Sequence, residues 1–96
     1  MFIVSLDYTC PLEEIDSHLD AHVAWLKQEY ANGNFIASGR KVPRTGGVIL
    51  SGVKTKNELE LILSKDPFYQ AGIAAYDFTE FVPTMVADGF EKLKEQ

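Results

Sequence analysis

An aspartate followed by proline, two histidines, two arginines and a single cysteine carry the chemistry that this 96-residue chain could perform. His22 stands in Asp20-Ala21-His22-Val23-Ala24-Trp25-Leu26, three residues after Leu19 and four before Leu26, at the edge of an apolar helical stripe. Histidine ordinarily titrates near neutral pH, and a half-buried one beside a carboxylate is suited to taking a proton as a general base. The candidate carboxylate is Asp66, which opens Asp66-Pro67-Phe68-Tyr69-Gln70-Ala71-Gly72. Proline pushes the residue before it out of helical geometry, so the Asp66 side chain can leave its helix axis and reach across. If the two meet, Asp66 accepts a hydrogen bond from one imidazole nitrogen, fixes the tautomer and leaves the other nitrogen for a pocket. Each residue also has a purely structural explanation. His22 can pack at a helix margin with a nitrogen on a backbone carbonyl, and Asp66 can cap a new helical turn that begins at Pro67.

The remaining reactive residues are weaker candidates. Glu14, His18 and His22 follow one another at intervals of four, on one face of a helix, but a metal needs further converging ligands, so no metal and no cofactor are assigned. Cys10 has no basic cluster around it and reads as a capping or packing residue. Arg40, Lys41 and Arg44 crowd three of the nine basic residues next to Gly46-Gly47, either as an anion clamp or as a solvated hairpin tip. Ser38 offers a hydroxyl donor and Gly39 permits close approach of a ligand. Ser38, Gly39, Arg40 and Arg44 are therefore the substrate-binding candidates. Trp25, Tyr30, Phe68, Tyr69 and Tyr76 can line a pocket for a ring-shaped compound, or belong to the core.

The elements that must position these residues can be read from periodicity. Phe2, Val4, Leu6 and Tyr8 alternate with Ile3, Ser5 and Asp7, a strand with one apolar face. Thr9 or Cys10 as N-cap, Pro11 in the first turn, and Glu13 and Glu14 at the positive end predict one long helix. Its stripe is Leu12, Ile15, Leu19, Val23, Leu26 and Tyr30, and Asn32-Gly33-Asn34 ends it. Strands are expected over Phe35 to Val42 and Val48 to Val53, joined by the turn formers Pro43-Arg44-Thr45-Gly46-Gly47. Thr55 and Glu58 form a capping-box pair for a second helix ending near Lys65. Ile73 to Val82 reads as the last strand, and Thr84 to Lys94 as a short terminal helix packed outside.

The order β-α-β-β-α-β predicts a ferredoxin-like α+β fold: an antiparallel four-stranded sheet with both helices on one face. Ile3, Ile36, Ile49 and Tyr76 are then candidates for the uncovered face, which a homodimer would bury. Residues 1–96 are expected to form one domain. A hydrophobic fraction of 46% against 24% charged residues is that of a folded globule. A net charge of −5 disfavours nucleic acid and anionic membranes as partners. No apolar run approaches the roughly 20 residues of a membrane span. The N-terminus lacks a signal-peptide pattern, and one cysteine cannot form an internal disulfide, so a cytoplasmic location is expected.

Taken in order, His22, the small pair Ser38-Gly39 and Asp66-Pro67-Phe68 resemble the YciI-like (YCII-related) family, over nearly the whole chain. The resemblance implies a dimeric α+β barrel and nominates His22 and Asp66 as an acid/base pair acting on a small, cyclic or enolisable compound. In one branch of that family the pair serves proton transfer during removal of chloride from a chlorinated hydroxyquinol-type ring. Two positions depart from the familiar pattern: Leu19 stands where members often carry arginine, and Arg40 where they carry proline. If that arginine helps hold a substrate carboxylate, its loss leaves the job to Arg40 or Arg44, or abolishes it. The resemblance thus implies a small cofactor-independent enzyme of lyase or hydrolase type. The alternative is a dimeric domain that binds a small molecule or protein without catalysis, with Asp66 as a cap and His22 as packing.

Overall fold

A computed structural model describes residues 1–95. Strand β1 (Phe2–Tyr8) is followed by helices α1 (Leu12–Ser17) and α2 (Leu19–Ala31), then by strands β2 (Phe35–Arg40) and β3 (Gly46–Ser51). Helices α3 (Lys56–Leu63) and α4 (Pro67–Gln70) lead to β4 (Ala74–Glu80), and a 3₁₀ turn covers Glu91–Glu95. The sheet runs β2-β3-β1-β4, with all three pairings antiparallel. This is the ferredoxin-like α+β arrangement, each of the two βαβ units having a strand of the other inserted between its own.

Alternation along β1 sends Phe2, Val4 and Leu6 into the core, where they meet Ile15, Trp25, Leu59, Leu63 and Phe68 from the helices. Register settles which other strand residues share that face. Ile49 lies opposite Val4, and Tyr76 opposite Leu6, so both point toward the helices. The expectation that they lie on the uncovered face is corrected. Ile3 does lie on the open side, across from Leu50, while Ile36 sits in a register shift between Phe35 and Ala37.

The single long helix expected from the sequence is two helices broken at His18 (φ −108°, ψ 1°). The Ser17 hydroxyl donates to the Glu14 carbonyl at 2.6 Å, and the His18 amide turns to Ile15 rather than continuing the i−4 ladder. Pro11, not Thr9 or Cys10, occupies the N-cap position of α1, without a side-chain bond. The stop at Asn32-Gly33 holds, with Gly33 at φ +77°. Thr55 caps α3 through the Glu58 amide at 3.2 Å.

Strand β3 begins at Gly46, two residues before the expected Val48, because glycine there allows an approach no side chain would. A Cβ on Gly46 would lie 1.7 Å from the Leu6 carbonyl oxygen. Strand β2 stops at Arg40 rather than Val42; the Lys41 amide still reaches the Gly46 carbonyl at 2.9 Å, but Pro43, three residues after Arg40, has no amide to give to a ladder. The terminal helix shrinks to its last turn, since Gly89 takes φ +94° and its amide binds the Glu91 carboxylate. Among the described residues no helix is long and apolar enough to cross a membrane.

Candidate functional site

His22 comes from α2 and Asp66 from the corner between α3 and α4. The two side chains meet, with His22 Nδ1 2.7 Å from Asp66 Oδ1. The corner is built as proline chemistry requires. Asp66 takes an extended backbone (φ −64°, ψ 125°), Pro67 starts α4, and Asp66 Oδ1 accepts the Phe68 amide at 3.0 Å. The same carboxylate oxygen thus caps a helix and holds an imidazole, so the two explanations of Asp66 coexist.

Burial at this point is deeper than helix periodicity implied. His22 is 8% exposed and Asp66 fully buried. Phe68 stacks flat on the imidazole, with ring centroids 3.9 Å apart and planes 5° from parallel, and Trp25 packs 5.6 Å away. If Asp66 is ionised it can only accept, and the proton between the two groups is then on Nδ1. In the neutral ring Nε2 is then a bare acceptor, and it has no protein partner among the described residues.

Beside the ring lies a cavity of about 490 Å³, the size of a small-molecule site. Leu19, Val23 and Leu26 of α2, Leu6, Ile49 and Phe68 give it apolar walls, with His22 among them. Ser38, Gly39, Arg40 and Arg44 all border it. Ser38 and Arg40 lie opposite Ile49 and Gly47 on β3, which are themselves opposite Val4 and Leu6, so they project to the helix side of the sheet. Both are nonetheless exposed, which marks this end as the mouth.

The four mouth residues are not equivalent. Arg44 donates to Asp16 at 2.6 Å, and that bond, partly opposed by burial, holds its guanidinium charged even more firmly than usual. Lys41, which turns to Asp7 at 2.7 Å, is likewise committed within the protein. The Arg40 side chain has no hydrogen bond or ion pair among the described residues. The Ser38 hydroxyl shares a 2.6 Å hydrogen bond with the Tyr30 hydroxyl. Gly46 and Gly47 lie in the β3 ladder rather than in a loop, and a Cβ at Gly39 would meet nothing within 4 Å.

The break at His18 ends the shared helix face of Glu14, His18 and His22. Among the described residues, no three His, Cys, Asp or Glu side chains converge to hold a metal. Burial, and after it the Glu14 carboxylate, push the Cys10 thiol above its usual range, the opposite of what activates a nucleophile. Tyr76, which the sequence offers only as a pocket-lining or core aromatic, has a contact that sequence reasoning missed: from β4 it donates to Asp66 Oδ2 at 2.5 Å. Its position two residues after Ala74 and two before Phe78 shows a strand face, but nothing local to it points to residue 66.

Comparison with solved structures places the fold among known ones. The chain is similar to the 5-chloro-2-hydroxyhydroquinone dehydrochlorinase of Burkholderia phenoliruptrix AC1100 in its complex with 2,5-dihydroxybenzoquinone. The TM-score is 0.70 at 19% sequence identity, covering 84% of this chain and 93% of that one, a likeness of fold. No curated protein sequence matches the chain significantly. The YCII-related domain profile matches residues 1–82, and the protein is a member of the YCII-related domain family.

Proposed function

We propose that the protein is a small cofactor-independent enzyme of lyase type in which His22 is the general base and acid and Asp66 its orienting partner. One observation carries this reading: a 2.7 Å bond fixes Nδ1 on a buried carboxylate while the ring borders a cavity large enough for a single substituted ring. Nε2 takes a proton from a substrate hydroxyl or enolisable carbon. The imidazolium that forms is held by Asp66, and Nε2 returns the proton to a second atom or to the departing group. The apolar walls strengthen the field of the few polar groups. Arg40 and Ser38 at the mouth, with Gly39 and the paired Arg44 beside them, bind the substrate's oxygens.

The fold shared with a dehydrochlorinase makes 5-chloro-2-hydroxyhydroquinone the first compound to assay. On it, or on any compound the protein turns over, His22→Ala is expected to lower turnover by about 10² to 10⁴, the usual contribution of positioned proton transfer. A variant as active as the parent would remove His22 from the mechanism and favour a binding domain.

The assembly belongs to the same proposal. Ile3 and Val48 are 38% and 39% exposed on the open sheet face, where Leu50 is half-buried, and a second copy of the chain covers them in a dimeric α+β barrel. Sedimentation equilibrium is expected to give twice the chain mass, and a monomer at micromolar concentration would remove the barrel.

A further inference from the structure

Acid–base chemistry by His22 needs only one oxygen of Asp66, and a helix cap needs the same one. The other oxygen is nevertheless claimed. Tyr76, opposite Leu6 in the sheet, points to the helix side and donates its hydroxyl to Asp66 Oδ2 at 2.5 Å. Oδ1 receives both the Phe68 amide and His22 Nδ1. We propose that Tyr76 is a positioning residue for the His22–Asp66 pair: its hydroxyl pins the free oxygen of Asp66, so that the carboxylate presents a single orientation to the imidazole. The inference rests on the acid–base reading of that pair and assigns the residue that keeps it aligned.

The physical argument starts from the torsion about the last bond of aspartate, which is broad and roughly twofold, so a carboxylate held at one oxygen can swing. Swinging lengthens the bond to Nδ1–H and lets the neutral ring move its proton to Nε2. A protonated Nε2 cannot act as a base. Donors on both oxygens remove that freedom. Tyr76 is suited to the task because burial first, and the bond to Asp66 second, hold its hydroxyl well above the usual tyrosine range, so it stays a donor throughout neutral and mildly alkaline pH.

Packing does not explain the hydroxyl. The Tyr76 ring stands edge-on to Tyr69 at 5.6 Å and lines a second cavity of about 340 Å³ with Leu63 and Phe78. Phenylalanine would make all of those contacts. The phenol oxygen adds only its bond to a residue that is already capping its helix.

The test is the tautomer of His22 in ¹⁵N-labelled protein, read from the ring nitrogen shifts of the neutral form. The parent is expected to show the Nδ1–H form alone, and Tyr76→Phe to show a second population protonated at Nε2. Tyr69→Phe, which keeps the aromatic contact and leaves Asp66 untouched, is expected to reproduce the parent spectrum. A Tyr76→Phe spectrum identical to the parent would reduce Tyr76 to packing while leaving the acid–base reading in place. A parent already protonated at Nε2 would sink the acid–base reading itself, and the inference with it. If Tyr76→Phe does not fold, 3-fluorotyrosine introduced at position 76 keeps the ring and makes the hydroxyl a stronger donor. The His22 Nδ1–H resonance should then move, and a stationary line overturns the proposal.

Discussion

Behind the cavity wall formed by His22 and Phe68, Asp66 is dry, both of its oxygens are bonded, and the His22 ring is clamped between its Nδ1 partner and the face of Phe68. At the mouth Ser38 and Arg40 are exposed, and the contacts of Arg44 and Lys41 run to the exposed carboxylates of Asp16 and Asp7. Both ends present polar groups to one cavity, but the medium around them differs. Away from water an unpaired donor costs its full desolvation, whereas at the surface solvent replaces a lost partner and screens a charge. Geometry is therefore enforced around the His22–Asp66 contact and is negotiable at the mouth. Leu19 and Arg40 both border the cavity and take no part in the His22–Asp66 contact.

That contrast sets the scale of the expected losses. Asp66→Ala strands the Phe68 amide, the Tyr76 hydroxyl and the imidazole N–H together. At about 1 to 3 kcal/mol for each buried unpaired group, and with some relaxation, the fold should lose about 3 to 5 kcal/mol. Arg40→Gln should change stability by less than about 0.5 kcal/mol. Denaturant midpoints at constant slope measure both, and similar losses at the two ends would break the comparison.

Tyr76→Phe is the intermediate case and has a pH signature. Loss of its bond to a carboxylate should cost about 1 to 2 kcal/mol near neutral pH. Tyr76 is raised in the folded protein above the ordinary tyrosine value of 10.0, so its contribution is fully present below that pH. Above it the unfolded chain ionises while the folded one does not, and the contribution is lost as pH rises toward the folded value. The stability gap between parent and Tyr76→Phe should therefore be constant through neutral pH and narrow above pH 10. A gap that stays constant there would mean that the hydroxyl is not held neutral by the fold.

The same division explains what the sequence disclosed. Period-two alternation in Phe2, Val4 and Leu6 reports burial directly, and Gly33 and the Thr55 cap report backbone needs within a few residues, so these elements were legible. Asp66-Pro67 was legible as a corner, and His22 as the margin of a stripe, because each is set by local rules. Tyr76 was not, since its partner is ten residues back along the chain and the face it occupies depends on strand register. The break at His18 was hidden because Ser17 competes for the Glu14 carbonyl within an otherwise regular apolar pattern. Gly46 was misread because glycine in a turn and glycine under a crossing carbonyl look alike in one dimension.

The smallest effect is also the one that discriminates between the two arginines. Both border the cavity, but the charge of Arg44 is answered by Asp16 at 2.6 Å while Arg40 has no ionic partner among the described residues. With benzoate as a probe anion, Arg40→Gln should weaken binding between about threefold and tenfold, the loss of one exposed charge-assisted contact of about 1 kcal/mol. Asp16→Asn should act in the opposite sense, because it removes a negative charge from the cavity wall and releases the Arg44 guanidinium toward the ligand. Both changes should fade as salt rises from about 0.01 to about 1 M, since the screening length falls from about 30 to about 3 Å. Chemical-shift titrations of the parent and the two variants measure all three constants. Equal affinities across the series would show that the mouth does not read charge, and the cavity's preference would then lie in its apolar walls and in His22 alone.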